Sequence, residues 1–83
     1  MAEVEYSDRA AEWLRGAEDD IAKRIVRKLN DISDFPDHYL LRLSNSRLYR
    51  LRVGDYRVII DWRKNDGLLF VRRISKREGA YRS

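Results

Sequence analysis

Residues 47–57 read RLYRLRVGDYR and decide the fold of this chain. Apolar and charged residues alternate there with period two on both sides of Gly54 and Asp55. Such alternation around a two-residue turn is typical of a β-hairpin. A turn at these two residues predicts that Arg52 lies directly opposite Arg57 in the hairpin.

The predicted register assigns each hairpin side chain to one of two faces. One face is apolar and aromatic, and we expect helices to cover it: Tyr49, Leu51, Val53, Tyr56, Val58 and Ile60. The other face carries the arginines: Leu48, Arg50, Arg52, Arg57 and Ile59. Two arginines opposed across a strand pair repel each other, at a cost of roughly a few tenths of a kcal/mol to 1 kcal/mol. The fold does not need this arrangement, but a surface that binds polyanions does.

The charge of the chain is divided between its two halves. Residues 1–46 carry seven Lys/Arg and ten Asp/Glu, a net charge of −3, whereas residues 47–83 carry eleven and four, a net charge of +7. The basic half is mostly arginine, which suits bidentate phosphate contacts. This distribution favours nucleic acid, or an acidic protein, as the partner.

Length and composition exclude several classes of protein. The 83 residues make a single domain, residues 1–83. There is no cysteine, so disulfides and thiolate metal sites are excluded, and we expect neither a metal nor a cofactor. We find no signal peptide and no apolar run that approaches the roughly 18 residues of a spanning helix. We therefore expect a cytoplasmic protein without a membrane partner.

The first half of the chain predicts a short strand followed by two helices. The strand covers residues 4–6, and Ser7 is a good N-cap for a first helix that Gly16 ends. A second helix covers residues 18–33, because its apolar positions recur at three- and four-residue spacing. The two helices form a hairpin with one apolar stripe, which requires a sheet to cover it.

Strands follow the helices. Residues 39–43 predict a short strand or an irregular approach to one, and the hairpin strands cover residues 47–53 and 56–62. A turn signal then precedes a further strand at residues 68–74, in which the adjacent Arg72 and Arg73 point to opposite faces unless a bulge intervenes. The predicted class is α+β in β-α-α-β-β-β order, with two N-terminal helices packed on one face of a small antiparallel sheet.

The order of elements, together with the segments LYRLRVGDYRVII and FVRRISKREGAYR, resembles the RelE/ParE superfamily of toxins from type II toxin–antitoxin systems. The resemblance covers nearly the whole chain and is strongest at residues 48–60 and 75–82. It implies a RelE-like fold. The RelE branch, which the chain resembles most, implies a ribosome-dependent endoribonuclease that cleaves mRNA in the ribosomal A site and so inhibits translation.

The resemblance also implies roles for particular residues. Arg57, Arg77 and Tyr81 match catalytic positions of the RelE branch, with Tyr81 stacking on or orienting a base. The matching RNA-binding positions are Arg50 and Arg52, and we add Lys76. The chain departs from the RelE pattern at Leu48, where those toxins carry a strand lysine, and at Arg50, which replaces another lysine.

Cleavage through a ribose 2′-hydroxyl also requires a proton acceptor, and guanidinium groups serve this need poorly because they stay protonated. Lys76, Glu78 and Tyr81 are the side chains that could move a proton, and the sequence does not choose among them. We expect His38, the single histidine, to be a solvated loop residue. An enzyme of this kind depends on the ribosome to orient its substrate.

Two other functions stay open. A ParE-like toxin keeps the fold and inhibits DNA gyrase without nuclease chemistry. A binding module that has lost catalysis would still dock on the ribosome or on nucleic acid. In each toxin reading, the resemblance implies a RelB-like cognate antitoxin as partner, ribosome and mRNA as targets of the RelE branch, and operator DNA reached through the antitoxin complex.

Overall fold

The computed structural model describes residues 2–76. Two helices and five strands make up this part of the chain. Short 3-10 turns at Pro36–His38 and Lys64–Asp66 connect some of them. In chain order the elements are β1 (Glu3–Tyr6), α1 (Asp8–Gly16), α2 (Asp19–Ile32), β2 (Leu41–Arg42), β3 (Tyr49–Val53), β4 (Tyr56–Arg63) and β5 (Leu68–Lys76).

The strands form one sheet in the order β1-β5-β4-β3-β2, and the α+β class is confirmed. Strands β2 to β5 are antiparallel neighbours, as predicted, but β1 runs parallel to β5. The expectation of a purely antiparallel sheet was therefore wrong for one edge. The physical reason is that β1 pairs with the last strand rather than with its neighbours in sequence, and the two helices allow the chain to cross back over the sheet.

The predicted hairpin register is confirmed. Arg52 pairs with Arg57 across β3 and β4, and Val53 pairs with Tyr56. Gly54 has a φ of 59°, whereas Asp55 does not have a positive φ. A positive φ at the first central residue alone fits a type II′ turn, which matches the right-handed twist of the flanking strands.

Both helices pack on the face that the alternation predicted. Side chains of α2 and of the three central strands form a core from which solvent is excluded, including Ile25, Leu29, Ile32, Leu51, Val58, Ile60, Leu69 and Val71. Tyr56 packs against this core, as predicted, and the half-buried Tyr49 lies on the same face of the sheet. Tyr56 makes an edge contact with Trp13, and Tyr49 makes one with Trp62.

A β-bulge interrupts the pairing of β4 with β5. Ile60 pairs with Val71 and Ile59 pairs with Arg73, so Arg72 is an extra residue in β5. The Ser7 hydroxyl donates a hydrogen bond of 2.7 Å to the Arg72 carbonyl and accepts one of 3.0 Å from the Ala10 N–H. Ser7 thus caps α1 and binds the bulge at the same time. Arg72 and Arg73 are both exposed, because the bulge breaks the alternation that would have turned one of them inward.

No helix of residues 2–76 is both long and apolar enough to span a bilayer.

Replacing Ser7 with Ala removes the helix cap and the bond to the bulge together. We expect the free energy of unfolding to fall by about 1–2 kcal/mol, because an N-cap alone contributes about 1 kcal/mol. Chemical denaturation measures this loss. Ser33→Ala is a matched control, since among residues 2–76 the Ser33 hydroxyl bonds only the Asn30 carbonyl of its own turn. An equal loss in both variants would contradict the bridging role of Ser7.

The Tyr6 hydroxyl is buried without a hydrogen-bond partner among the described residues, and burial raises the pKa of Tyr6 above its ordinary value. Tyr6→Phe should therefore keep or raise the free energy of unfolding, by up to about 1 kcal/mol near neutral pH. A raised pKa stabilises the folded state below the unfolded pKa, and this contribution is lost as pH rises through the folded pKa. The wild type should thus lose stability above about pH 10, relative to Tyr6→Phe. Denaturation at several pH values tests both expectations.

Candidate nucleic-acid interface

The face of the sheet opposite the helices carries two rows of residues near the hairpin turn. Cross-strand pairing places Arg52, Arg57 and Ser75 side by side across β3, β4 and β5. The next row joins Arg50 to Ile59 and Ile59 to Arg73. We call these four arginines (Arg50, Arg52, Arg57 and Arg73) the arginine face. The structure therefore brings three of the predicted site residues together and adds Arg73.

The arginine face has no internal counter-charge. Its four guanidinium groups make no ion pair and no side-chain hydrogen bond with any residue from 2 to 76. Arg52 and Arg73 are exposed, and Arg50 and Arg57 are half-buried. Guanidinium groups in this arrangement can donate paired hydrogen bonds to phosphate oxygens. They cannot accept a proton.

A buried carboxylate lies on the same face of the sheet, at the end farther from the hairpin turn. Asp61 follows Ile60 on β4 and is only 4% exposed. Its Oδ2 accepts a hydrogen bond of 3.3 Å from Arg63 Nε, and Arg47 lies 4.0 Å away. The Arg63 guanidinium also lies over the ring of Phe70, 5.4 Å from the ring centroid. Asp61 and Arg63 therefore pair their charges within the fold, whereas the guanidinium groups of the arginine face are left to bind a ligand.

Asp61 was not among the site residues predicted from the sequence. The available signal was one acid inside the apolar run VIIDW, at a position where alternation points it away from the helices. A lone carboxylate in such a strand requires basic partners if it is buried. Arg63 supplies one two residues later on the same strand.

The remaining predicted residues lie elsewhere. Lys76 pairs with Tyr56, whose ring contacts Trp13 of α1 at 5.6 Å, so the register places Lys76 on the helix side of β5 and away from the arginine face. Arg77 and Tyr81 lie outside the described residues. His38 is exposed in a 3-10 turn, with its ring between those of Phe35 and Tyr39.

Within residues 2–76, no group of three or more His, Cys, Asp or Glu side chains is placed to hold a metal ion. The guanidinium groups of the arginine face can bind phosphate and stabilise negative charge.

The different positions of Arg63 and Arg47 around Asp61 lead to a stability prediction. Arg63→Ala should lower the free energy of unfolding by about 1–2 kcal/mol, because it leaves a buried carboxylate without its hydrogen-bond donor and uncovers Phe70. Arg47→Ala should cost less than about 0.5 kcal/mol, since the Arg47 side chain is 79% exposed. Chemical denaturation measures the free energy of unfolding of both variants. Equal losses would contradict the conclusion that Arg63 is the main partner of Asp61.

Comparison with known proteins identifies the family. The sequence model described as "ParE toxin of type II toxin-antitoxin system, parDE" matches residues 4–81. Among curated proteins, none matches the chain significantly.

Several solved structures share the fold. The RelBE2 toxin–antitoxin complex of Mycobacterium tuberculosis matches with a TM-score of 0.84 at 19% identity, over 92% of this chain and 98% of that one. The isolated RelE toxin of E. coli matches with a TM-score of 0.77 at 18% identity, over 94% and 86%. The RelE–RelB complex of Pyrococcus horikoshii matches with a TM-score of 0.74 at 21% identity, over 93% and 96%. At these identities the likeness shows the fold alone. Together with the family match, it means that the chain belongs to the ParE toxin family within the RelE/ParE superfamily and is the toxin of a type II toxin–antitoxin module.

Proposed function

We propose that this toxin acts as a RelE-like endoribonuclease that cleaves mRNA in the ribosomal A site and thereby inhibits translation. The observation that carries the proposal is the row of Arg52 and Arg57, two opposed guanidinium groups without a counter-ion among the described residues. The pair lies at the end of the sheet where β5 reaches Lys76, and Arg77 is the next residue in the sequence. A fold gains nothing from this repulsion, whereas a phosphate bound between the two groups would remove it.

The reaction is an internal transesterification. The ribose 2′-oxygen forms a bond to the adjacent phosphorus, the bond from phosphorus to the 5′-oxygen breaks, and a 2′,3′-cyclic phosphate results. The 2′-hydroxyl loses a proton, and the departing 5′-oxygen gains one. Negative charge grows on the non-bridging oxygens, where Arg57 and Arg77 would donate hydrogen bonds.

The flanking residues would hold the message. Arg50 and Arg52 would contact phosphates next to the scissile one, and Lys76 would reach the RNA from the helix side of β5. Tyr81 would stack on a base, a contact worth roughly 1–3 kcal/mol. Proton transfer falls to Lys76, Glu78 or Tyr81. Because such groups are weak acid–base catalysts, orientation of the message by the ribosome would supply much of the rate.

The partners follow from the same proposal. Several similar toxins were solved in complexes with RelB antitoxins. A RelB-like cognate antitoxin is thus the proposed inhibitor of this chain, and the toxin would reach operator DNA through the antitoxin complex. Translation in the cytoplasm would be its target.

The family match favours a second candidate. The matching family model is that of ParE toxins, and a ParE-like toxin would bind DNA gyrase without nuclease chemistry. The arginine face would then bind an acidic surface of the enzyme. Inhibition of supercoiling by purified gyrase would support this candidate.

The test of the primary proposal uses a translation extract with one defined message, in which 5′ ends are mapped by primer extension. Wild-type toxin should produce new 5′ ends within codons, and Arg57→Ala should reduce their rate of formation roughly 100- to 1,000-fold. Arg77→Ala should have a similar effect. Stalled translation of an intact message would refute the ribonuclease proposal.

A matched control separates chemistry from folding. Arg15 lies exposed in the last turn of α1 and does not belong to the arginine face, so Arg15→Ala should leave cleavage unchanged. Arg57→Ala should also keep or slightly raise the free energy of unfolding, because it removes the repulsion from Arg52. A large loss of stability in Arg57→Ala would instead indicate a structural role.

A further inference from the structure

A second basic surface lies outside the arginine face. A groove of about 650 Å³ separates α2 from the hairpin turn of β3 and β4. Five cationic residues line it: Lys23, Arg24, Arg27, Lys28 and Arg52. Only two acidic residues line it with them, Asp20 and Asp31. Since Arg52 also belongs to the arginine face, the groove continues the positive surface around the edge of the sheet.

The groove cations are not neutralised by the neighbouring acids of their own helix. Asp20 lies four residues before Arg24, and Asp31 lies four residues after Arg27, which is the spacing of helical ion pairs. Neither pair forms, and none of the five cations makes an ion pair with a described residue. Lys28 lies over the ring of Tyr39, 4.9 Å from its centroid. Charge is therefore available to a ligand along the whole groove.

One of these cations, Arg24, lies directly against the hairpin turn. The Arg24 guanidinium lies so close to the bare backbone of Gly54 that a Cβ there would stand 2.6 Å from its Nη2 atom. The same glycine supplies the positive φ of the turn. Helix α2 and the hairpin turn therefore meet where Arg24 lies against Gly54.

The lining of the groove identifies the class of ligand. A protein partner is usually held by apolar or aromatic anchors, yet the one aliphatic lining residue, Val53, is 5% exposed. Single-stranded nucleic acid is usually held by aromatic stacking, yet the lining contains no aromatic residue. Charge without anchors or stacking platforms fits the regular phosphates of a duplex.

We propose that the groove between α2 and the hairpin turn binds the phosphate backbone of base-paired ribosomal RNA. This rests on the proposed function in taking RNA as the partner. It adds a docking contact to the proposed cleavage site. Contacts on both sides of the sheet edge would fix the orientation of the arginine face relative to the message, which the weak acid–base groups of the site require.

The test measures binding of the toxin to a labelled RNA hairpin with a fully paired stem, by fluorescence anisotropy at several KCl concentrations. The variant Arg24→Gln/Arg27→Gln should bind roughly tenfold more weakly. The slope of log affinity against log salt should become shallower by about 1 for each lost phosphate contact. Affinity for an unpaired RNA of the same length should change less.

The matched control, Arg15→Gln/Lys64→Gln, removes the same charge from exposed positions outside the groove and should change affinity and slope much less. Thermal unfolding checks that each variant is folded. If the double variant does not fold, Arg27→Gln alone should still lower affinity and slope, because Arg27 is exposed on the helix surface.

Unchanged hairpin affinity in the groove variant would overturn the inference, as would an equal loss in the control. Loss of antitoxin binding with RNA affinity intact would assign the groove to the antitoxin and overturn it as well. These outcomes are separate from the ribonuclease proposal, because hairpin binding requires no cleavage. A wild-type toxin that leaves the message intact would refute the ribonuclease proposal while leaving the binding measurement valid.

Discussion

The register of the β3–β4 hairpin is the constraint on which the rest of the structure depends. A turn at Gly54 and Asp55 places Leu51, Val53, Val58 and Ile60 in the core beside α2, and it places the arginines on the opposite face. A shift by one residue would exchange the two faces and bury charge. The core and the arginine face are therefore two consequences of one turn, and the site cannot move without loss of the core.

Ser7 extends this arrangement to the edge of the sheet. Strand β1 brings Ser7 beside the bulge in β5, where its hydroxyl binds the Arg72 carbonyl while capping α1. The bulge places Arg73 opposite Ile59, so the row that begins at Arg50 ends in a second arginine. The same bulge exposes two consecutive basic residues in a strand whose other half is packed in the core. A local irregularity thus enlarges the basic surface without removing an apolar residue from the core.

Prediction of the fold from the sequence succeeded where the determining contacts are local. Hairpin register, the covered face and the span of α2 follow from period-two and helical spacing, and each agrees with the structure within a residue or two. It failed where contacts join distant parts of the chain. The parallel pairing of β1 with β5 brings together residues more than 60 positions apart, and neither strand's own pattern encodes its neighbour. Lys76 was predicted to bind RNA together with Arg50 and Arg52. The register of β5 places it beside Tyr56, on the other side of the sheet from these arginines, and its role in RNA binding stays a prediction. The groove along α2 could not be predicted, because the sequence does not show which face of the helix lies beside the hairpin turn.

Arginines at the two ends of one sheet face have opposite surroundings: at one end the charge is paired within the fold, and at the other it is not. At one end, Arg63 is hydrogen-bonded to buried Asp61 and stacked on Phe70, an arrangement that satisfies both charges within the fold. At the other end, Arg52 and Arg57 face each other without a counter-ion among the described residues. A carboxylate between them would stabilise the fold but would occupy the place of a phosphate. The repulsion between Arg52 and Arg57 lowers the stability of the free protein. A bound anion removes this repulsion, so the free energy that folding loses is recovered when the anion binds. The cost is small because both groups retain contact with water. A surface of this kind would thus be stabilised by RNA or by an acidic antitoxin segment, so that the two ligands would compete for the same unpaired charges.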